Sequence, residues 1–157
     1  MAFIKITKAF QEDLKDILSL QKLAFRSEVD VYSDFETSPP LLQTLEEISR
    51  ELPESIFLKA VVENEIVGSV RAHQVKETTF IKRLVVSPSY QNQDIGTKLM
   101  NSIEYHFKDN KRYELFTGHK SIRNLHLYRK LGYKEFKRIH IDENLIMIYL
   151  EKFVSHK

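Results

Sequence analysis

Val85-Val86-Ser87-Pro88-Ser89-Tyr90-Gln91-Asn92-Gln93-Asp94-Ile95-Gly96-Thr97 is the stretch on which the reading of this chain turns. A β-branched run ends in a proline and a polar segment. Apolar residues then resume at Ile95, Leu99, Ile103 and Phe107, four apart, as on one face of a helix. A strand that passes through a polar turn into a helix N-terminus leaves the first helical N–H groups without intrahelical acceptors. Such a terminus suits an anion, most readily a phosphate or pyrophosphate. Gly96 offers a position with no side chain where backbone and ligand can approach, and Thr97 adds a hydroxyl. An ordinary strand-to-helix connection has the same outward form.

Upstream, SIFLKAVV (55–62), EIVGSVRAHQV (65–75) and TTFIKRLVV (78–86) are β-rich runs with two-residue separations at Glu63-Asn64 and Lys76-Glu77, the spacing of an antiparallel meander. Before them, a short strand is expected at Phe3 to Ile6 and an amphipathic helix through Leu14, Ile17, Leu18 and Phe25. A polar loop, Arg26 to Ser38, follows. Pro39 and Pro40 then open a second helix with a stripe of Leu42, Leu45, Ile48 and Leu52. Downstream come a strand in RYELFTG (112–118), a short helix in SIRNLHLYRK (121–130) closed by Gly132, and a hairpin made of YKEFKRIHI (133–141) and LIMIYLEKF (145–153). The order β, α, α, βββ, α, β, α, ββ gives an α/β (α+β) class: a mixed, mostly antiparallel central sheet flanked by helices, in one domain over 1–157.

Composition narrows the chemistry. At 157 residues with 42% hydrophobic content the chain can bury a core without staples, and with no cysteine it has no disulfide, thiolate metal site or thiol nucleophile. Lys+Arg 24 against Asp+Glu 22 is a formal net charge of +2, so nucleic acid is not a required partner. Lys108, Lys111 and Arg112 suggest such a partner only weakly, because no aromatic residues interleave with them in the way a nucleic-acid surface needs. No signal-peptide core and no apolar run of about 18 residues is present, so the expectation is a soluble cytoplasmic protein with no membrane partner. Walker, G-x-G-x-x-G, G-x-S-x-G and H-E-x-x-H patterns are missing, and no metal site is expected.

The segment V-x-P-x-x-Q-x-x-D-x-G-T-x-L resembles the coenzyme A signature of the GNAT N-acetyltransferase family, written R/Q-x-x-G-x-G/A. Further on, Asn124-Leu125-His126-Leu127-Tyr128, closing in Leu131-Gly132-Tyr133, is similar to that family's second signature. The two occur in the family's order, and the element order agrees over essentially the whole chain. The resemblance implies acetyl-CoA as cosubstrate, with Leu84, Val85 and Val86 pairing with the pantetheine arm and Gln91, Asn92, Gln93, Asp94, Ile95, Gly96 and Thr97 wrapping the pyrophosphate. It further implies Asn124 as a cofactor contact and Tyr128 as the acid that protonates the departing thiolate. The chemistry agrees, since a thioester attacked by an amine expels a sulfur that a nearby hydroxyl can neutralise. Strand amides near Val85 or Val86 can polarise the thioester carbonyl.

Two departures stand out. Asp94 replaces the first glycine of the signature, bringing a carboxylate near a diphosphate while offering a cap for the helix beginning at Ile95. Lys82 and Arg83 occupy the stretch where many members carry a carboxylate base, so the base is open among His119, Glu77 and a relaying water. The acceptor is expected to be a primary amine on a small molecule or peptide. It would meet the acidic segment holding Glu28, Asp30, Tyr32, Asp34 and Glu36, with His119 a further contact. A homodimer is an open option. The competing reading is a non-catalytic acyl-CoA-binding regulatory domain.

Overall fold

The computed structural model describes residues 3–26 and 42–154. A short strand, β1 (Lys5–Lys8), leads through a 3-10 turn into helix α1 (Leu14–Arg26). Helix α2 (Leu45–Glu51) begins at a reciprocal cap: the Thr44 hydroxyl accepts from the Glu47 amide at 3.2 Å, and the Thr44 amide donates to Glu47 Oε1 at 2.9 Å. The meander follows as β2 (Ile56–Val62), β3 (Glu65–Val75) and β4 (Thr78–Val86). Then come α3 (Ile95–His106), β5 (Arg112–Gly118), α4 (Ile122–Lys130), β6 (Lys134–His140) and β7 (Ile146–Phe153).

Three local expectations shift. The first strand begins at Lys5 and not at Phe3, whose ring is 82% exposed. The described second helix starts at Leu45 behind the Thr44 cap; Pro39 and Pro40 lie outside the described residues. Of its expected stripe only Ile48 is buried, Leu42 and Leu45 being exposed, because the helix is too short to lay four apolar residues on the sheet.

Among the described residues the strands form one seven-stranded sheet in the order β1-β2-β3-β4-β5-β7-β6. Every neighbour pair is antiparallel except β4 with β5. The closing hairpin is present, and its second strand, not its first, pairs with β5. Phe57 and Leu58 are adjacent on β2 and belong to two different apolar clusters, as alternation across a strand requires. One cluster joins Leu14, Ile17 and Ile48 of α1 and α2 to Phe57; the other joins Ile95, Leu99, Met100 and Ile103 of α3, with Leu125 and Tyr128 of α4, to the opposite sheet face. Gly68 lets α3 come down onto β3: a Cβ there would stand 2.9 Å from the Ile95 Cγ2 atom.

Two irregularities of β4 place the site. From Ser69 to Arg71 the β3 register advances two residues, while β4 advances three from Val85 to Lys82, so β4 carries one extra residue. Arg83 sits in this bulge at φ 56°, a left-handed conformation that costs a non-glycine residue on the order of 1 kcal/mol. On its other side β4 pairs with β5 only at Thr78, Thr79 and Phe80, and beyond these positions the two strands have no pairing.

Candidate functional site

Where β4 and β5 stop pairing, a cavity of about 780 Å³ opens. Its walls include Leu84, Val85 and Val86 of β4, with Phe116, Thr117 and Gly118 of β5 across the gap. One edge of β4 is thereby left without a strand partner among the described residues, and an extended, amide-bearing ligand can pair along it as a neighbouring strand would.

At the end of this gap lies the polar turn. Gln91, Asn92, Asp94, Ile95, Gly96 and Thr97 all line the cavity, whereas Gln93 does not. Gln91 fixes the turn from both sides: its Nε2 donates to the Val86 carbonyl at 3.1 Å, and its Oε1 accepts from Arg123 on α4. Arg123 is a cavity residue that sequence reasoning missed, because its contact with Gln91 spans 32 residues. Asn92 and Asp94 are both left-handed, at φ 66° and 61°. The first helical bond of α3 runs from the Lys98 amide to the Asp94 carbonyl at 3.0 Å. The amides of Ile95, Gly96 and Thr97 therefore precede that ladder, at the cavity wall.

One detail of the turn differs from the sequence expectation, and one adds to it. Asp94 is the residue that precedes α3, yet its side chain accepts no capping hydrogen bond, because a left-handed backbone does not present it to the N2 and N3 amides as an extended cap residue would. Gly96 also meets a protein neighbour: a Cβ there would lie 3.1 Å from Leu127 Cδ2, so the bare backbone eases the packing of α4 against the start of α3.

Helix α4 brings Asn124, Leu127 and Tyr128 to the cavity. Tyr128 is 5% exposed, with its ring centroid 6.0 Å from that of Tyr133. The Tyr133 hydroxyl donates to Glu104 Oε2 at 2.9 Å, and burial beside Glu104 pushes that phenol far above its ordinary value. Tyr133 therefore acts as a fixed wall behind Tyr128.

The opposite arm of the cavity is lined by Gln21, His73, Phe80, Lys82 and Arg83. Burial, and next the nearby Lys82, push the His73 imidazole below its usual value, which favours its neutral form. Behind this arm is a buried polar cluster. Arg71, 2% exposed, donates from Nε to Glu51 Oε1, from Nη2 to Glu51 Oε2 and Gln43 Oε1, and from Nη1 to Gln21 Oε1, each at 3.0 Å. Lys82 Nζ adds a contact to Glu51 Oε1 at 3.2 Å. Burial alone would raise the Glu51 carboxyl, but Arg71, Gln43 and Lys82 outweigh it and hold the group below the usual range.

The sequence candidates for the base lie elsewhere. His119 is not a lining residue; its Nδ1 accepts from the Ile146 amide at 2.9 Å and its own amide donates to the Ile146 carbonyl at 2.8 Å, a bridge between the end of β5 and the start of β7. Glu77 sits in the β3–β4 turn and pairs with Lys111 at 2.9 Å, with both side chains mostly exposed. Glu28, Asp30, Tyr32, Asp34 and Glu36 lie outside the described residues.

Comparison with known proteins places this geometry. Residues 14–133 match the model of the family described as "Acetyltransferase (GNAT) family". Among solved structures, the chain is similar to PaiA N-acetyltransferase from Thermoplasma acidophilum in complex with coenzyme A, at 21% identity and TM-score 0.74, covering 94% of this chain and 98% of that one. It is similar to the ribosomal-protein-S18-alanine N-acetyltransferase from Escherichia coli at 13% identity and TM-score 0.80, with coverage of 99% and 96%. A GNAT-family acetyltransferase from Staphylococcus aureus aligns at 19% identity and TM-score 0.78, over 98% of this chain and 100% of that one. A search of curated protein sequences found no match.

Proposed function

The chain belongs to the acetyltransferase (GNAT) family, and from that premise we propose that it transfers the acetyl group of acetyl-CoA directly to a primary amine of a small molecule or peptide. The observation that carries the reading is the single cavity that runs from the helix N-terminus at Ile95, Gly96 and Thr97, along the unpaired edge of β4, to Tyr128. A diphosphate at the helix end and an extended amide-bearing arm along β4 would set the thioester near the middle of the gap.

In this reading the amine nitrogen attacks the thioester carbonyl. A C–N bond forms, and the oxygen becomes an oxyanion that strand amides near Val85 or Val86 stabilise. The C–S bond then breaks, the sulfur leaves with its electron pair, and the Tyr128 hydroxyl supplies the proton it needs. The ammonium proton passes to water or to a side chain of the opposite arm, where His73 lines the cavity.

The competing reading, an acyl-CoA-binding domain without turnover, is favoured by the carboxylate of Asp94 at the cavity wall. Thiol release from acetyl-CoA across a panel of amines separates the two. Acetyl transfer to at least one class of amine is expected, and coenzyme A binding without any thiol release overturns the enzymatic reading. Millimolar acetyl-CoA is also expected to raise the melting temperature, by about 2.7 kcal/mol of added stability at a hundredfold excess over Kd.

A further inference from the structure

Three cations, Arg71, Lys82 and Arg83, gather at the arm of the cavity opposite the helix N-terminus, and they are unequally partnered. Arg71 and Lys82 both pair with Glu51. Among the described residues Arg83 makes no hydrogen bond or ion pair, its buried Nε included. Burial and the neighbouring Arg71 both weaken the hold of Arg83 on its proton, with Glu51 opposing them. An arginine nevertheless stays charged in a protein, so among the described residues the site holds a largely desolvated cation with no carboxylate paired to it.

Among the described residues, the carboxylates that line this cavity or pair with the cluster already have partners or lie at its other end. Glu51 receives both Arg71 contacts, the Gln43 amide at 2.7 Å and Lys82. Glu114, on the far wall, is held by Arg112 at 2.8 Å. Asp142 accepts from the Asn144 amide at 2.7 Å, and Asp94 belongs to the opposite end of the cavity, at the start of α3. Folding also goes to some length to put Arg83 there, since it occupies the left-handed bulge of β4, and bulges re-aim side chains next to sites. The next residue, Leu84, begins the stretch assigned above to the pantetheine arm.

We propose that Arg83, with Lys82 beside it, is an anion subsite for the acceptor, which is therefore an amine bearing a carboxylate a few bonds from its nitrogen. This rests on the acetyl-transfer reading of the same cavity. A carboxylate is preferred because Arg83 lines the cavity and a guanidinium presents parallel N–H groups that match two carboxylate oxygens. The separation must be short because Arg83 adjoins the β4 stretch where the thioester would lie, at about 3.3 Å of strand per residue. The same positive wall would favour the uncharged amine over the ammonium, which is the form that attacks, and so lessens the need for a strong base.

The test uses matched acceptors with the intact protein: α- and β-amino acids, the corresponding amides, the decarboxylated amines and aminoalkyl phosphonates, all assayed by thiol release. The carboxylates are expected to exceed their amides at least tenfold in kcat/KM. Arg83→Gln should erase that preference by raising KM for the carboxylates alone, with coenzyme A affinity and the circular dichroism spectrum unchanged, and Arg83→Lys should restore part of it. Equal use of carboxylate and amide overturns the proposal, as does an equal loss for both in Arg83→Gln. A preference for phosphonates, or for dicarboxylic acyl-CoA donors with neutral amines, also overturns it. Calorimetric titration of N-acetylglycine and its amide into the coenzyme A-loaded protein keeps the two readings apart. Tighter binding of the acid, lost in Arg83→Gln, supports the subsite even where no amine turns over; absence of that difference overturns the subsite whatever the transfer assay shows.

Discussion

Leu127 Cδ2 lies 3.1 Å from the position a Cβ would take on Gly96, so the two signature segments are held in register by a side chain against a bare backbone. A methyl group there demands that Leu127 yield by a few tenths of an ångström. The helix propensity of alanine, up to about 1 kcal/mol better than glycine, offsets that crowding. Gly96→Ala is therefore expected to melt within a few degrees of the parent, while weakening coenzyme A binding because the added methyl group stands at the cavity wall beside the first amides of α3. Gly96→Val adds bulk that Leu127 cannot accommodate, and a loss of about 1–3 kcal/mol is expected in denaturant titrations.

Asp94 combines a left-handed backbone with a carboxylate that caps nothing. Glycine removes strain on the order of 1 kcal/mol and forfeits no capping bond. Asp94→Gly is expected to raise the melting temperature slightly and to tighten coenzyme A binding at low salt, with the binding difference shrinking as salt screens the charges. Calorimetric titration at two ionic strengths checks this, and weaker binding by the variant would make Asp94 a required part of the turn.

For Tyr128 the prediction is kinetic. Tyr128→Phe keeps the ring packed and removes one hydroxyl, so turnover should fall roughly ten- to ten-thousandfold with coenzyme A affinity nearly unchanged. Unaltered single-turnover rates would return Tyr128 to a packing role.

Glu51 links stability to acid. Its carboxyl titrates below the usual range in the folded chain, so its contribution is complete above the unfolded value near 4.5 and is lost as pH falls through the lower folded value. Stability should therefore drop with acidification below about pH 4.5, more steeply than in Glu51→Gln. That variant leaves the Arg71 cation, 2% exposed, beside neutral amides. Because the Glu51 side chain keeps 19% exposure, the low end of the range for breaking a buried pair applies, about 3 kcal/mol, or a fall in melting temperature on the order of 10 °C.

What the sequence determined by itself is what short spacing encodes. The alternation in residues 65–75, the fourfold recurrence of Ile95, Leu99 and Ile103, and the contiguous turn from Gln91 to Thr97 are local patterns, so the elements and the coenzyme A-signature loop were legible. Asn124 and Tyr128 were singled out by resemblance to a family signature, spacing alone leaving Tyr128 a packing residue, and both line the cavity. Tertiary structure decided everything that depends on partners distant in the chain. Nothing local makes β7 rather than β6 the neighbour of β5, ends the pairing of β4 and β5 after Phe80, or turns Arg83 into a left-handed bulge. The Arg71 cluster joins Gln21, Gln43 and Glu51 across separations of 50, 28 and 20 residues. A buried cation there is tolerable only once the chain has collected its acceptors, which periodicity does not record.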